Sequence, residues 1–318
     1  MGYYLIGTDL GGTKIATALT DTDCQIIKYD THPTDPGRKA SIIVEEMAQS
    51  ILRVAEGIPR EAVLGVGIAC AGLITQEGVV EYSPNLGWCH LPLRESLEKL
   101  LPWRVYVQND VNMAALGELH YGVAKGKKDV VCLFVGTGVG GGLIFNGRVY
   151  VGSGFAGEIG HTSILWNGPR DSCGNLGCVE VLASGTAMAR YAREAIEAGR
   201  SSKIIESTDG QVEKIKVEDI ADAWRRGDEL AAEIVLQTGD YLAAAVVNLV
   251  NLLDPEMVVL GGGVIRGLPE LIDMITEIIG KRSLRASASG VEVVAAKFGR
   301  EAGVIGATVL VKLAGKIE

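Results

Sequence analysis

The chain has 318 residues, of which 47% are hydrophobic and 22% are charged. This composition excludes an intrinsically disordered protein and allows about two domains. The 30 lysines and arginines against 39 aspartates and glutamates give a formal net charge of −9, which argues against broad binding to nucleic acid or to an acidic membrane. Glycine is unusually frequent, at 42 residues, and it occurs in short blocks beside apolar runs.

The predicted elements alternate between strands and helices, which is typical of an α/β fold. In the first part of the chain we predict strands at residues 3–8, 14–19, 24–32, 62–70 and 104–107, and helices at 41–55 and 111–120. Residues 72–91, rich in Gly, Pro and Asn, are predicted to form a loop. Farther on we predict strands at 129–135, 143–145, 257–260 and 291–295, and helices at 183–198, 228–253, 268–279 and 301–313.

Two glycine blocks form an internal repeat. Residues 7–13 (GTDLGGT) match residues 136–142 (GTGVGGG) at four of seven positions, and each block lies between two apolar strands. Successive N–H groups in a glycine turn can converge on an anion, because glycine has no Cβ to block it. Two such turns, from two related halves, could hold one polyphosphate in a cleft. Tight turns without a ligand are the alternative for either block alone.

Two better-known phosphate motifs do not fit these blocks. Residues 136–141 spell G-x-G-x-x-G, but a strand rather than a helix is predicted after them. Residues 7–12 begin like a P-loop, but Thr13 stands where a lysine is required. The sequence therefore predicts phosphate-binding turns without either of those folds.

More specific patterns occur elsewhere, namely Asn109-Asp110-x-Asn112 with Gly117-Glu118, Glu158-x-Gly160-His161-Thr162 and Cys173-Gly174-x-x-Gly177-Cys178-x-Glu180. Together with Asp9-Leu10-Gly11-Gly12-Thr13-Lys14, they resemble the signatures of the ROK family of bacterial sugar kinases and sugar-responsive repressors. The resemblance covers residues 5 to about 310. It implies a two-lobed fold of the sugar-kinase, Hsp70 and actin superfamily, with duplicated halves around a central cleft. The smaller lobe would comprise residues 1–118 and 300–318, and the larger lobe residues 119–299.

The resemblance assigns roles to individual residues. The catalytic base of the family falls on Asp110, although Asn109 or Asp110 could equally cap the helix that follows. The sugar contacts map onto Asn85, Asn109, Asp110, Glu158, His161 and Glu180. ATP would be held by the two turns and a third glycine block, with Asp9 facing Mg²⁺; the residues concerned are Asp9, Gly11, Gly12, Thr13, Lys14, Gly136, Thr137, Gly138, Gly140, Gly261, Gly262 and Gly263. Plain strand–helix packing is the alternative for the third block.

A zinc site is implied by His161, Cys173 and Cys178, with Asp171 at a position where the family has a third cysteine. Zinc accepts carboxylate oxygen at about 2.0–2.2 Å and thiolate sulfur at about 2.3 Å, so a mixed set of ligands is chemically possible. Water as the fourth ligand, or two buried thiols without any metal, are the alternatives. The zinc would be structural, and it would orient His161 and the loop of Glu180.

The function implied is an ATP-dependent hexose kinase, with glucose as the first choice of substrate. The alternatives are another hexose, such as N-acetylglucosamine, N-acetylmannosamine, mannose, fructose or allose, and polyphosphate in place of ATP. A repressor is disfavoured, because the first phosphate motif begins at Asp9 and leaves no room for a helix-turn-helix. A catalytically silent sugar sensor is disfavoured by the intact phosphate and carboxylate motifs.

The first residues contain no basic leader, and the longest uncharged run, residues 130–147, includes six glycines. We therefore expect a cytoplasmic protein with reduced thiols. The resemblance further implies a homodimer or homotetramer, with sugar and ATP as the small-molecule partners.

Overall fold

The computed structural model describes residues 2–315, which divide into two units of mixed α/β structure. The first unit contains the chain up to Gly126, the segment Gly147–Ala156 and the chain from Arg300 onward. The second unit contains Lys127–Asn146 and Gly157–Gly299. The expected lobes differ from this division at two places, because residues 119–126 and 147–156 lie in the first unit.

The first unit is built on a sheet with the strand order β3-β2-β1-β4-β8. β1 pairs antiparallel with β2 and β2 with β3, whereas β4 and β8 run parallel to β1. The strands of this unit are β1 Tyr4–Leu10, β2 Lys14–Asp21, β3 Ile26–Pro33, β4 Val63–Cys70, β5 Leu73–Ile74, β6 Val80–Ser83, β7 Trp88–Leu91, β8 Val105–Asn109 and β11 Arg148–Tyr150. Its helices are α1 Ala40–Ala55, α2 Leu93–Glu98, α3 Asp110–Tyr121 and α11 Ala302–Ala314.

Both faces of this sheet are covered, which explains why β1 reads as a continuous apolar run. Ile6 and Leu10 pack into the cluster that includes α1, and Leu5 packs on the opposite face with residues of α11. α11 packs directly on the strands at Gly67, where a Cβ would lie only 2.0 Å from the carbonyl oxygen of Ala307. The C-terminal helix thus completes the unit that begins at the N-terminus.

The second unit repeats the arrangement of a hairpin followed by parallel strands. Its strands β9 Val130–Val135, β10 Val139–Phe145, β12 Met257–Gly261 and β13 Glu292–Ala295 lie in the order β10-β9-β12-β13. β9 and β10 are antiparallel, and β12 runs parallel to β9 and β13. Its helices are α4 Val179–Ala183, α5 Gly185–Glu197, α6 Val217–Arg225, α7 Glu229–Leu253, α8 Gly262–Gly267, α9 Glu270–Arg282 and α10 Arg285–Ala288.

The long helix α7 forms the centre of the second unit. It begins where Asp228 accepts a hydrogen bond of 2.8 Å from the N–H of Ala231, and it ends at Asp254, which is left-handed and precedes Pro255. α7 is long and apolar enough to cross a membrane, but 61% of its most apolar window is buried inside the unit. Its apolar face includes Leu242 and Val246, and it packs with α4, α5, α6 and α9. The apolar character of α7 therefore reflects its place in a core.

Several predicted elements need correction. Residues 72–91, predicted as a loop, contain the antiparallel sheet β5-β6-β7. The second glycine block is a turn only at residues 136–138, because β10 begins at Val139 and includes Gly140 and the next two glycines. The two equivalent turns, residues 11–13 and 136–138, are therefore 125 residues apart (136 − 11), rather than 129.

Candidate active site

The turn between β1 and β2 is the first candidate phosphate loop. It is closed by a hydrogen bond of 3.0 Å from the N–H of Gly11 to the carbonyl of Lys14. Within residues 2–315 the N–H groups of Gly12 and Thr13 donate no hydrogen bond. A Cβ at Gly12 would lie 3.1 Å from the carbonyl oxygen of Asn85, so this turn packs closely against the predicted sugar-binding loop. Two unused donors on a rigid turn are suited to an anion.

Asp9 precedes this turn and lies against the first turn of α11. A Cβ on Gly303 would be only 2.7 Å from Cγ of Asp9, so only glycine allows this contact. Burial and, next, the negative charge of Asp110 raise the pKa of Asp9 to about 7, although the positive charge of Lys14 lowers it. A carboxylate that is held beside a second carboxylate is a natural ligand for a divalent cation.

Asn109, and not Asp110, is the N-cap of α3. Its Oδ1 accepts hydrogen bonds of 3.0 Å from the N–H groups of Val111 and Asn112. Its Nδ2 donates to the carbonyl of Gly72 at 3.0 Å and to Oδ1 of Asp110 at 3.2 Å. An amide has two donor hydrogens and two acceptor lone pairs, so all four positions are used. A sugar hydroxyl would have to replace one of these bonds.

Asp110 is the first residue of α3 and has one anchored oxygen. Its Oδ1 accepts hydrogen bonds from the N–H of Val111 at 3.0 Å and from Asn109. No hydrogen bond formed within residues 2–315 goes to its Oδ2. Burial raises the pKa of Asp110, and hydrogen bonds from the backbone N–H groups of Val111 and of Asp110 itself oppose that rise. One oxygen is thus fixed, and the other can accept a proton.

The turn between β9 and β10 is the second candidate phosphate loop, and all of its carbonyl groups are occupied. The N–H of Gly185 donates to the Gly136 carbonyl, and the Gly136 N–H donates to the Gly138 carbonyl, both at 2.8 Å. The hydroxyl of Thr186 donates to the Thr137 carbonyl, also at 2.8 Å. The N–H groups of Thr137 and Gly138 donate to no acceptor in the described chain. The turn therefore offers N–H donors, while each of its carbonyl groups already accepts a hydrogen bond, a pattern suited to an anion.

The predicted sugar-binding segments of the second unit pack on this same hairpin. A Cβ at Gly160 would lie 2.0 Å from the carbonyl oxygen of Val139, so the short 3-10 helix Ile159–His161 rests on β10. Glu158 precedes that helix directly. On α4, Oε2 of Glu180 accepts a hydrogen bond of 2.8 Å from the N–H of Val139. The structure thus brings Glu158, His161 and Glu180 to one end of one hairpin.

Four side chains form a candidate metal centre in the second unit. The ligand atoms of His161, Asp171, Cys173 and Cys178 all lie within 4.8 Å of one another. Nδ1 of His161 is 3.0 Å from Oδ2 of Asp171, and the two sulfur atoms are 3.7 Å apart. Tetrahedral bonds of about 2.3 Å place two sulfur ligands about 3.8 Å apart, so the pair fits zinc. Asp171 is buried, with 6% of its surface exposed, and points to the other three.

The geometry allows His161 to serve both predicted roles, since Nδ1 faces the metal centre and Nε2 remains for a sugar. Around Asp171, burial raises the pKa, but hydrogen bonds with Cys178, His161 and Ser172 outweigh burial and lower it to about 2. Asp171 is therefore an ionised oxygen donor at the position that the family resemblance gives to cysteine.

In the third glycine block, residues 261–263, glycine is required mainly because neighbouring atoms leave no room for a Cβ. A Cβ at Gly261 would meet the ring of Phe134 at 2.6 Å, and one at Gly262 would lie 2.2 Å from the carbonyl oxygen of Val135. Gly263 has open space, with its nearest neighbour, a nitrogen of Arg266, at 3.9 Å. Only Gly263 therefore presents open backbone for an adenosine group.

Three residues that position the site were missed from the sequence. Gly185 and Thr186 hold the carbonyl groups of the second turn, and Gly303 makes room for Asp9. Ser184 caps α5 by accepting from the N–H of Ala187 at 3.1 Å, so Ser184-Gly185-Thr186 carries a recognisable signal for the start of a helix. No signal in the sequence shows that Gly303 meets Asp9, because the contact joins residues at opposite ends of the chain.

Two equivalent hairpins carry turns with unused N–H groups at their tips and carboxylates beside them, in a protein of the actin-like ATPase fold, the fold of its structural neighbours. More narrowly, the chain belongs to the ROK family, which matches residues 5–314. It is 35% identical to the glucokinase of Thermotoga maritima over 311 residues, which is 97% of each chain.

Two further relatives carry different names. A ROK family glucokinase from Streptomyces griseus, in complex with glucose and AMPPNP, is 33% identical; the match covers 96% of this chain and 98% of that one, with a TM-score of 0.80. The xylose repressor of Caldicellulosiruptor bescii is 30% identical over 311 residues, which cover 96% of this chain and 77% of the repressor. Family membership alone therefore does not separate a kinase from a repressor.

Proposed function

We propose that this protein is an ATP-dependent hexose kinase that phosphorylates glucose at O6, with Asp110 as the general base. Relatives named glucokinase, 33–35% identical over nearly the whole chain, support this reading. The observation that carries it is the state of Asp110, with Oδ1 anchored by Val111 and Asn109 and Oδ2 available. A carboxylate held in this way suits proton removal from a hydroxyl group.

Asp110 acts at the moment of transfer. The sugar hydroxyl donates its hydrogen bond to Oδ2, and the proton moves to that oxygen as the hydroxyl oxygen attacks the γ-phosphorus. Burial raises the pKa of Asp110, which makes the carboxylate a better proton acceptor than a solvated one. The phosphoryl group then leaves ADP and joins the sugar oxygen.

The two turns bind the transferring phosphates. The free N–H groups of Thr137 and Gly138, and those of Gly12 and Thr13, donate to phosphate oxygens, whereas the carbonyl groups of the second turn are directed to donors within the protein. Asp9 is the residue that would hold Mg²⁺. When bound, Mg²⁺ neutralises charge on the phosphate oxygens.

The sugar is recognised by Asn85, Glu158, His161 and Glu180, together with Asp110 itself. Carboxylates accept from adjacent hydroxyls, and Nε2 of His161 adds one further polar contact. Asn109 contributes chiefly by orienting Asp110, because its own donors and acceptors are used within the protein. His161, Asp171, Cys173 and Cys178 would hold a structural zinc ion that fixes the His161 ring.

Asp110→Asn tests the base directly. The variant keeps the shape and the N-terminal position of the side chain but accepts no proton, so kcat falls by about 10²–10⁴. Glucose binding, measured by isothermal titration calorimetry, stays close to wild type. Asp273→Asn, at an exposed position on α9, is the matched control and keeps full activity. Wild-type activity in Asp110→Asn would remove Asp110 from the role of base.

The remaining alternative functions can be distinguished by testing which sugar and which phosphate donor the protein uses. Activity with a different hexose would keep this mechanism and change only the sugar. Phosphorylation from polyphosphate but not from ATP would change the donor, and sugar binding without any transfer would identify a silent sensor. A homodimer or homotetramer in the cytoplasm remains our prediction, to be checked by light scattering and by fractionation of the source cells.

A further inference from the structure

One contact joins a predicted sugar ligand to the second phosphate turn. Oε2 of Glu180 accepts a hydrogen bond of 2.8 Å from the N–H of Val139, the first residue after the turn. The contact is close on its other side too, since a Cβ at Gly138 would lie 2.3 Å from the same oxygen. The carboxylate therefore occupies the space beside the turn, where only glycine leaves room for it.

The same segment is clamped from a second direction. The carbonyl oxygen of Val139 lies against Gly160, where a Cβ would be 2.0 Å away. The N–H of Val139 thus contacts one sugar motif and its carbonyl contacts the other. The turn residues Gly136 and Thr137 are fixed separately, through their carbonyl groups, by the start of α5. Glu180 is therefore the side chain with which the sugar-binding motifs reach the N–H side of this turn.

We propose that Glu180 is a positioning residue for the phosphate turn and that it couples sugar binding to nucleotide binding. This inference rests on the proposed function and extends it. One carboxylate oxygen holds the N–H of Val139 and the other accepts from a sugar hydroxyl. Bound sugar fixes the carboxylate, and the fixed carboxylate holds the turn with the Thr137 and Gly138 donors in place. Because coupling between two sites is reciprocal, each ligand then strengthens the binding of the other by the same factor.

Glu180→Gln separates this role from simple sugar binding. Glutamine replaces one acceptor oxygen of the carboxylate with an NH2 group, which cannot accept from the Val139 N–H or from a sugar hydroxyl. The variant therefore loses the arrangement in which each carboxylate oxygen accepts from one of these two donors. Glu180→Ala gives up both contacts. Glu194→Gln, at an exposed position on α5, is the matched control, because within residues 2–315 Glu194 forms an ion pair with Arg190 alone, on the surface.

The first measurement is the Kd of Mg-AMPPNP by calorimetry, with and without saturating glucose. In wild type and Glu194→Gln, glucose tightens nucleotide binding about fivefold or more. In Glu180→Gln and Glu180→Ala the ratio falls to near one, while the nucleotide still binds. A wild-type ratio in both Glu180 variants would overturn the inference. If wild type binds neither ligand, the proposed function fails instead.

The second measurement needs no ligand. Amide hydrogen exchange of the segment 136–145 should be about tenfold faster in sugar-free Glu180→Ala than in wild type, because a hydrogen bond to a charged group is lost. Glu194→Gln should leave it unchanged. Equal exchange in wild type and Glu180→Ala would show that Glu180 does not hold the turn, whatever the ligands do.

Discussion

Asp9 is expected to destabilise the fold that it serves, and replacing it should show this. Burial and the neighbouring charge of Asp110 raise its pKa from 3.8 to about 7. Below pH 3.8 the carboxyl group is protonated in both the folded and the unfolded chain, so it has no effect. As the pH rises toward 7, the folded chain holds the proton more tightly than the unfolded chain, and stability is lost. Asp9→Asn removes this loss.

The size of the effect follows from the pKa difference. About three pKa units at 1.36 kcal/mol per unit give an upper limit of about 4 kcal/mol above pH 7. Because Asp9 keeps partial contact with solvent, we expect about half of that limit. By the same relation, Asp9→Asn should increase the free energy of unfolding at pH 8 by about 1 kcal/mol or more beyond its effect at pH 5.

The assay is urea unfolding of wild type and Asp9→Asn at pH 5 and pH 8, without Mg²⁺, followed by circular dichroism. The variant should be more stable at both pH values and most clearly so at pH 8, although it loses kinase activity. Glu61→Gln, at an exposed position of the same unit, should show no pH-dependent gain. Equal stability of Asp9→Asn and wild type at pH 8 would show that the Asp9 carboxylate does not destabilise the fold.

Three further substitutions test individual contacts. Asn109→Ala removes the cap of α3 and a bond to Asp110, so urea unfolding should show a loss of about 1–2 kcal/mol and kcat should fall; an unchanged kcat would deny its orienting role. Gly303→Ala should displace the Asp9 carboxylate and raise the Mg²⁺ concentration needed for half-maximal rate, while Gly280→Ala, in open space on α9, changes nothing; equal Mg²⁺ dependence would contradict the contact. Asp171→Cys should retain zinc against a chelator longer than wild type, and faster loss would show that the carboxylate suits the site better.

The glycine turns and the start of α3 could be predicted from the sequence because they depend on neighbouring residues. Apolar strands flank each turn, and Asn109 caps the helix that its type and place suggest. The ROK motifs further predicted that Glu158, His161 and Glu180 bind the sugar together. In the structure, the two segments that carry these three side chains pack against one hairpin of the second unit.

Other features depend on contacts between distant residues and could not be read from the sequence. Gly141 looks like part of a phosphate loop, yet it lies in β10, where a Cβ would meet Ile159 at 2.3 Å. The strands β5, β6 and β7 are too short to show a period within a segment rich in turn residues. The sequence likewise does not show whether a side chain such as Asn109 has already used its hydrogen-bond donors and acceptors, because that depends on which residues lie beside it in the fold.

The proposed activity of this protein is transfer of the γ-phosphate of ATP to a hexose, with glucose as the preferred acceptor. The most direct test is the initial rate of ADP formation from Mg-ATP with wild-type protein, zinc supplied, across glucose, N-acetylglucosamine, N-acetylmannosamine, mannose, fructose and allose. We expect a strong and selective response to glucose. No ADP above background with any of these sugars would contradict it.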